Sequence, residues 1–302
     1  MQIKKLVSAL SLAGVALALS TGTASAVVLY TPATQFNDQN LDFVNDIGPS
    51  NSGTIGVGDE LISVFQFSQT LGLPSGGPSA LGADSGNPTH NLVGLADITV
   101  TAVLTDGTLV FVPTSTLGTG MNLLGSFAKG TAVALYTGST LDTVSGVNDI
   151  LNSNCGSRPT CLTDATNGSL YLTAGFFGDA DSAWVSAPAA GGATISTVQT
   201  GNSQSTFGNF NFELSVGINN TGSTLAETVA CAPYCGLGGN GLVQVSGNGQ
   251  INGGSGLSAV DWTARSKTGF QINPVPEPAT LALLGLGLVG LAGMRKRTKS
   301  AS

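Results

Sequence analysis

The sequence predicts an all-β fold: a jelly-roll-like β-sandwich with long Gly/Ser/Asn-rich loops, flanked by a cleaved leader and a C-terminal transmembrane helix. Three observations predict it. β-Rich runs with a two-residue alternation recur between residues 55 and 251. Gly, Asn, Ser and Thr punctuate those runs at short spacing. Finally, 43 glycines in 302 residues, about twice the usual share, coexist with 41% apolar residues, enough to build a core. Only 9% of the residues are charged, against about 25% in ordinary soluble domains, which weighs against a cytosolic enzyme. A net charge of -7 argues against a nucleic-acid partner.

Taken in order, 55–71, 128–137, 169–177, 208–218 and 241–251 read as strands. Residues 96–112 hold Asp106-Gly107 between two β-rich stretches, the strongest hairpin signal in the chain. Residues 72–88 and 248–256 have loop composition. Leu141–Leu151 is the one helix-like segment, with apolar residues at 141, 144, 147, 150 and 151. No internal repeat is present, which disfavours the rival reading, a right-handed β-helix.

The two ends are signals. Lys4 and Lys5 precede the apolar run 6–19, and Ala24-Ser25-Ala26 supplies small residues before Val27. Residues 1–26 therefore read as a secretory signal peptide cut after Ala26, with Ala24 and Ala26 as the cleavage pair. At the other end (residues 275–302), Pro276-Glu277-Pro278 is followed by the apolar run 279–294 and by Arg295, Lys296, Arg297 and Lys299. Such a run reads as a short membrane helix whose basic end stays cytoplasmic, and the prolines separate it from the domain upstream. Residues 27–274 are left as the exported domain. All of the 17 acidic residues except Glu277 lie there, opposed only by Lys129, Arg158, Arg265 and Lys267.

This tripartite end, V-P-E-P-A-T with an apolar helix and an R-K-R cluster, resembles the PEP-CTERM sorting signal of Gram-negative bacteria. The resemblance covers about residues 274–299. It implies export through the Sec machinery, a transient inner-membrane anchor, and recognition by an exosortase, a membrane enzyme with a cysteine nucleophile that cuts near the P-E-P. It further implies a final place at the outer surface or in the extracellular matrix, often linked with exopolysaccharide, biofilm or floc formation.

Four cysteines in an exported chain fall into two close pairs. Cys155–Cys161 and Cys231–Cys235 are the simplest of three connectivities, each pair bracketing a proline-containing segment that favours turning back. A four-thiolate zinc site fits the spacing poorly.

Candidate chemistry is sparse. His90, the sole imidazole, lies in a loop-like N-P-T-H-N stretch, and no G-x-S-x-G elbow accompanies it. Glu60, Glu213 and Asp261 are the carboxylates from which a glycoside-hydrolysing pair would have to come. Asp179 and Asp181 form the densest oxygen-donor cluster, a weak candidate for Ca2+, with Asp59-Glu60 and 84–87 weaker still; no other cofactor is expected. Trp184, Trp262, Tyr136, Tyr171 and Tyr234 would stack on sugars if exposed and fill the core otherwise. Asn167 and Asn219 begin glycosylation-type triplets. The expectation is a non-catalytic exported surface or matrix protein that contacts extracellular polysaccharide; a secreted carbohydrate-active hydrolase is the alternative.

Overall fold

The computed structural model describes residues 34–48, 53–72, 78–80, 91–141, 157–188, 194–202, 204–229, 242–255, 257 and 262–272. Its strands are β1 (Thr34–Asn45), β2 (Glu60–Gly72), β3 (Pro78–Ala80), β4 (Leu92–Val103), β5 (Leu109–Pro113), β6 (Thr131–Thr137), β7 (Ser169–Gly175), β8 (Ala183–Pro188), β9 (Thr206–Asn219), β10 (Thr228–Val229), β11 (Leu242–Val243), β12 (Val245–Gly253) and β13 (Ala264–Ile272). Three helices join them: α1 (Thr114–Leu117), α2 (Arg158–Thr166) and α3 (Ile195–Thr200).

The strands close into an eight-stranded antiparallel barrel. β5 and β6 lie end to end along one edge of β4, pairing with residues 98–103 and 92–96 respectively. β7 and β8 do the same along β9. β5 pairs with β8 and β6 with β7, so each couple is one wall strand interrupted at the same level. The circuit then runs β1, β2, β4, β5/β6, β7/β8, β9, β12 and β13, and β13 returns to β1. Every neighbour is the next wall strand in sequence, an up-and-down meander.

The jelly-roll sandwich expected from the sequence is therefore incorrect. A sandwich and a barrel share the same inward–outward alternation. What separates them is the closing pair, Thr34–Asp42 against Ile272–Ala264, which joins opposite ends of the domain. The β-helix alternative fails for the same reason.

Cross-strand pairs of phenylalanine and glycine shape the inner face. Phe65 sits opposite Gly94, Phe212 opposite Gly247 and Phe210 opposite Gly249. A Cβ on these glycines would fall 2.1, 2.2 and 2.4 Å from the partner ring, so each ring occupies the space a side chain would need. This explains why 248–253, read as loop from its composition, is strand. Phe65, Phe67, Phe270 and Phe212 follow one another at centroid spacings of 5.4, 5.5 and 5.7 Å, and Trp184 lies 4.8 Å beyond Phe212.

A second core lies outside the wall. Leu41, Ile62, Val64, Val93, Leu95, Ala134 and Tyr136 are covered by α2 together with Leu124, Leu141, Leu257 and Trp262. The sequence reading had no helix at α2. It starts at Ser157, whose hydroxyl accepts from Thr160 N–H, with Pro159 in the first turn, where its missing N–H costs nothing. Pro159 thus opens a helix where a reversal of the chain was expected. Arg158 stacks on Phe43, 3.6 Å from the ring centre. The helix expected at 141–151 falls largely outside the described residues. The Asp106-Gly107 turn is as predicted, with Gly107 at φ +85° and Thr108 N–H donating to Asp106 Oδ1 at 2.9 Å.

Among the described residues no helix is long and apolar enough to cross a membrane. The leader 1–26 and the run 279–294, read as a membrane helix, lie outside them.

Candidate ligand cavity

The phenylalanine chain fills one half of the barrel interior, and its Phe65, Phe212 and Phe270 also border the hollow that occupies the other. The hollow half encloses about 250 Å³. Val44, Leu61, Val100, Leu109, Phe111, Trp184, Phe210 and Ile251 furnish most of its wall. Its end is covered by residues 53–59 and by α3. Thr54 bridges Thr194, and Ile195 N–H donates to the Gly53 carbonyl at 2.9 Å. Thr194 caps α3 in a reciprocal box with Thr197, which fixes the helix over the opening. Val198 points from it into the cavity wall.

Most polar exceptions come from adjacent strands, with Ser186 of β8 apart from them. Asp42 of β1 faces Ser63 of β2 by register, and Ser266 and Thr268 follow on β13. Asp42 is 3% exposed, and among the described residues its Oδ2 has no hydrogen-bond partner. Burial pushes the Asp42 carboxyl up to about 6, against the opposing pull of the Ser63 and Ser266 hydroxyls. No charge, pattern or motif in the sequence singles out Asp42; its inward phase in the barrel does.

The carboxylates that were read from the sequence are placed differently. Glu60 and Asp97 lie under the 118–130 segment that interrupts β5 and β6. Glu60 accepts from Met121 N–H at 2.9 Å, Asn122 N–H at 3.1 Å and Asn45 Nδ2 at 2.8 Å, while Asp97 accepts from Leu123 N–H at 2.7 Å. Burial, with the Glu60 charge adding to it, pushes Asp97 up to about 7, against the Thr114 hydroxyl and the Leu123 amide. Asp59 accepts from Gly48 N–H at 2.8 Å and Gly56 N–H at 2.7 Å, tying down the covering loop. Both Asp59 and Glu60 edge the cavity.

Asp179 and Asp181 sit in the turn that interrupts β7 and β8. Asp179 accepts from Asp181 N–H at 3.0 Å and from the Ser215 hydroxyl; Asp181 accepts from Leu242 N–H at 3.4 Å. Glu213 is raised by partial burial and by the nearby Asp181 charge. Among the described residues no three His, Cys, Asp or Glu side chains are grouped to hold a metal. Trp184, Trp262, Tyr136 and Tyr171 are all buried, so these aromatics are core. Cys161 is buried on α2 and disulfide-bonded, its partner lying outside the described residues. His90, Asp261, Tyr234, Cys155, Cys231 and Cys235 also lie outside them, as do residues 84–87. Asn167 donates to the Thr140 hydroxyl, and Asn219 donates to the Ser223 carbonyl at 2.8 Å.

No curated protein and no solved structure matches the chain. The family model of the PEP-CTERM protein-sorting motif matches residues 274–297, the segment holding Pro276-Glu277-Pro278, the apolar run and the first three basic residues of the tail. The chain thus carries a PEP-CTERM sorting motif, which supports a PEP-CTERM protein, exported and processed at the membrane by an exosortase.

Proposed function

We propose that the barrel is a non-catalytic cell-surface or extracellular-matrix protein associated with exopolysaccharide, biofilm or floc formation, reached through Sec-type export. The observation that carries this reading is the sorting motif at 274–297, which supports an exported protein processed at the membrane. The barrel suits that setting: its domain carries few basic side chains, and most of the large apolar side chains of its strands are turned to two cores. Deleting the gene and measuring floc, biofilm and matrix composition tests it. Loss of aggregation or altered matrix polysaccharide is expected; unchanged matrix and aggregation would overturn the reading.

A hydrolase is favoured by one feature, the buried Glu60 and Asp97 carboxylates beside each other with Asp97 raised. Their oxygens accept from backbone amides of residues 121–123, an arrangement that suits anchoring of the insertion better than attack on a glycan. Hydrolysis of a matrix polysaccharide by the exported protein, lost in Glu60→Gln with the fold intact, would replace the first reading.

A further inference from the structure

We infer that the hollow half of the barrel is a binding site for a small, mainly apolar primary amine, its hydrocarbon part against the Val, Leu and Phe wall and its ammonium on Asp42. Four observations on the same site point there.

The first is volume. An eight-stranded barrel is just wide enough either to be filled by side chains or to hold one small ligand, and this one does the first in one half and the second in the other. By comparison with a cavity of about 150 Å³ that takes benzene, a space of 250 Å³ accommodates a body of roughly ten non-hydrogen atoms. The second is polarity. Apart from Asp42, the hydroxyls around it and Ser186 of β8, the wall below the rim is aliphatic and aromatic, so burial of hydrocarbon supplies the affinity and the carboxyl supplies orientation.

Charge is the third. Asp42 Oδ2 is buried without a partner among the described residues, an acceptor in need of a donor. Among the described residues no Lys, Arg or His lines the cavity, and Asp59 and Glu60 edge it, so the local field favours a cation over an anion. An ammonium has three donors, enough to meet the carboxylate and a serine hydroxyl together. The fourth is access. Val57, Val103 and Leu104, each nearly half exposed, cluster where the covering loop meets the β4–β5 turn, and Val103 also lines the cavity. That rim gives an apolar molecule a favourable path inward.

The test uses the exported protein isolated from cells expressing the full chain, with n-octylamine, n-octanol and octanoate as probes in calorimetric titration. Octylamine is expected to bind at least tenfold more tightly than octanol, and octanoate more weakly than either. Asp42→Asn should bring octylamine down to the affinity of octanol while leaving octanol unchanged. Ala264→Leu, which places a larger side chain in the cavity wall, should weaken all three. The ranking in the unaltered protein decides the matter even if Asp42→Asn does not fold. Absence of octylamine binding, octanoate binding as tightly as the amine, or full binding by Ala264→Leu would each overturn the inference.

Discussion

The two halves of the barrel interior are built by one alternation of inward and outward residues, yet one is solid and the other hollow. In the solid half, glycines on β4 and β12 admit rings from β2 and β9, and Phe65, Phe67, Phe212 and Phe270 interlock from three strands. In the hollow half the inward positions hold Ala96, Ala264, Ser63, Ser266 and Asp42, whose side chains are too short to meet at the axis. The pattern of polarity decides which way each residue points. Side-chain volume decides whether the space so enclosed is filled.

The largest effect is expected in the solid half. Phe270 is 2% exposed and touches two other rings of the chain. Phe270→Ala removes them at a site that cannot collapse and should cost about 3–5 kcal/mol in denaturant unfolding. A loss below about 1 kcal/mol would mean the two halves are alike in packing.

Next comes Asp42. Its carboxyl ionises near 6 in the fold, against an ordinary value of 3.8. Protonation therefore favours the folded state: the contribution is complete below about pH 4 and is lost as pH rises through 6. The decline amounts to as much as about 3 kcal/mol. Asp42→Asn should match the wild type at pH 4 and exceed it in stability at neutral pH, read as the difference between the two proteins' melting curves so that Asp97, shifted the same way, cancels. A variant less stable than wild type at neutral pH would show that the charge is already paired.

Gly94→Ala tests how the solid half is assembled. Its new Cβ would lie 2.1 Å from the Phe65 ring and 2.8 Å from Leu135. A cost of about 1–3 kcal/mol is expected, and Phe65→Leu in the same chain should return part of it by withdrawing the ring. Failure of that rescue would separate Gly94 from Phe65.

These contrasts also mark how far the sequence could be read. β-Rich runs and the Asp106-Gly107 turn located β2, β4, β5, β6, β7 and β9 because those signals are local. β1 and β13 were missed: Thr34–Asn45 is polar at most positions, and its strand character comes from pairing with residues more than 200 positions away. The run 241–251 located most of β12, while its second half also carried loop composition, because its glycines are meaningful only beside the rings of β9. The sorting motif was fully legible because a short linear pattern is what the processing enzyme reads. The cavity was not, since an empty volume is a property of facing side chains on nine separate strands and no run of residues encodes it. Glu60 and Asp59 drew notice as acidic residues, whereas the structure uses them as acceptors for loop amides.

The smallest effect is the most direct comparison of the halves. Ala96 and Ala174 are both buried inward-cluster alanines, 2% and 0% exposed, on β4 and β7. Ala96 borders the cavity and Ala174 does not. Valine suits either strand, so the backbone preference is the same for both. Ala96→Val places its extra methyls in open volume and should gain about 1 kcal/mol from added apolar burial. Ala174→Val must displace neighbours already in contact and should lose about 1–3 kcal/mol. Opposite signs in paired denaturant titrations are the expected result. Equal losses would mean that the hollow half closes up in solution, and equal gains that the solid half is looser than its ring contacts indicate.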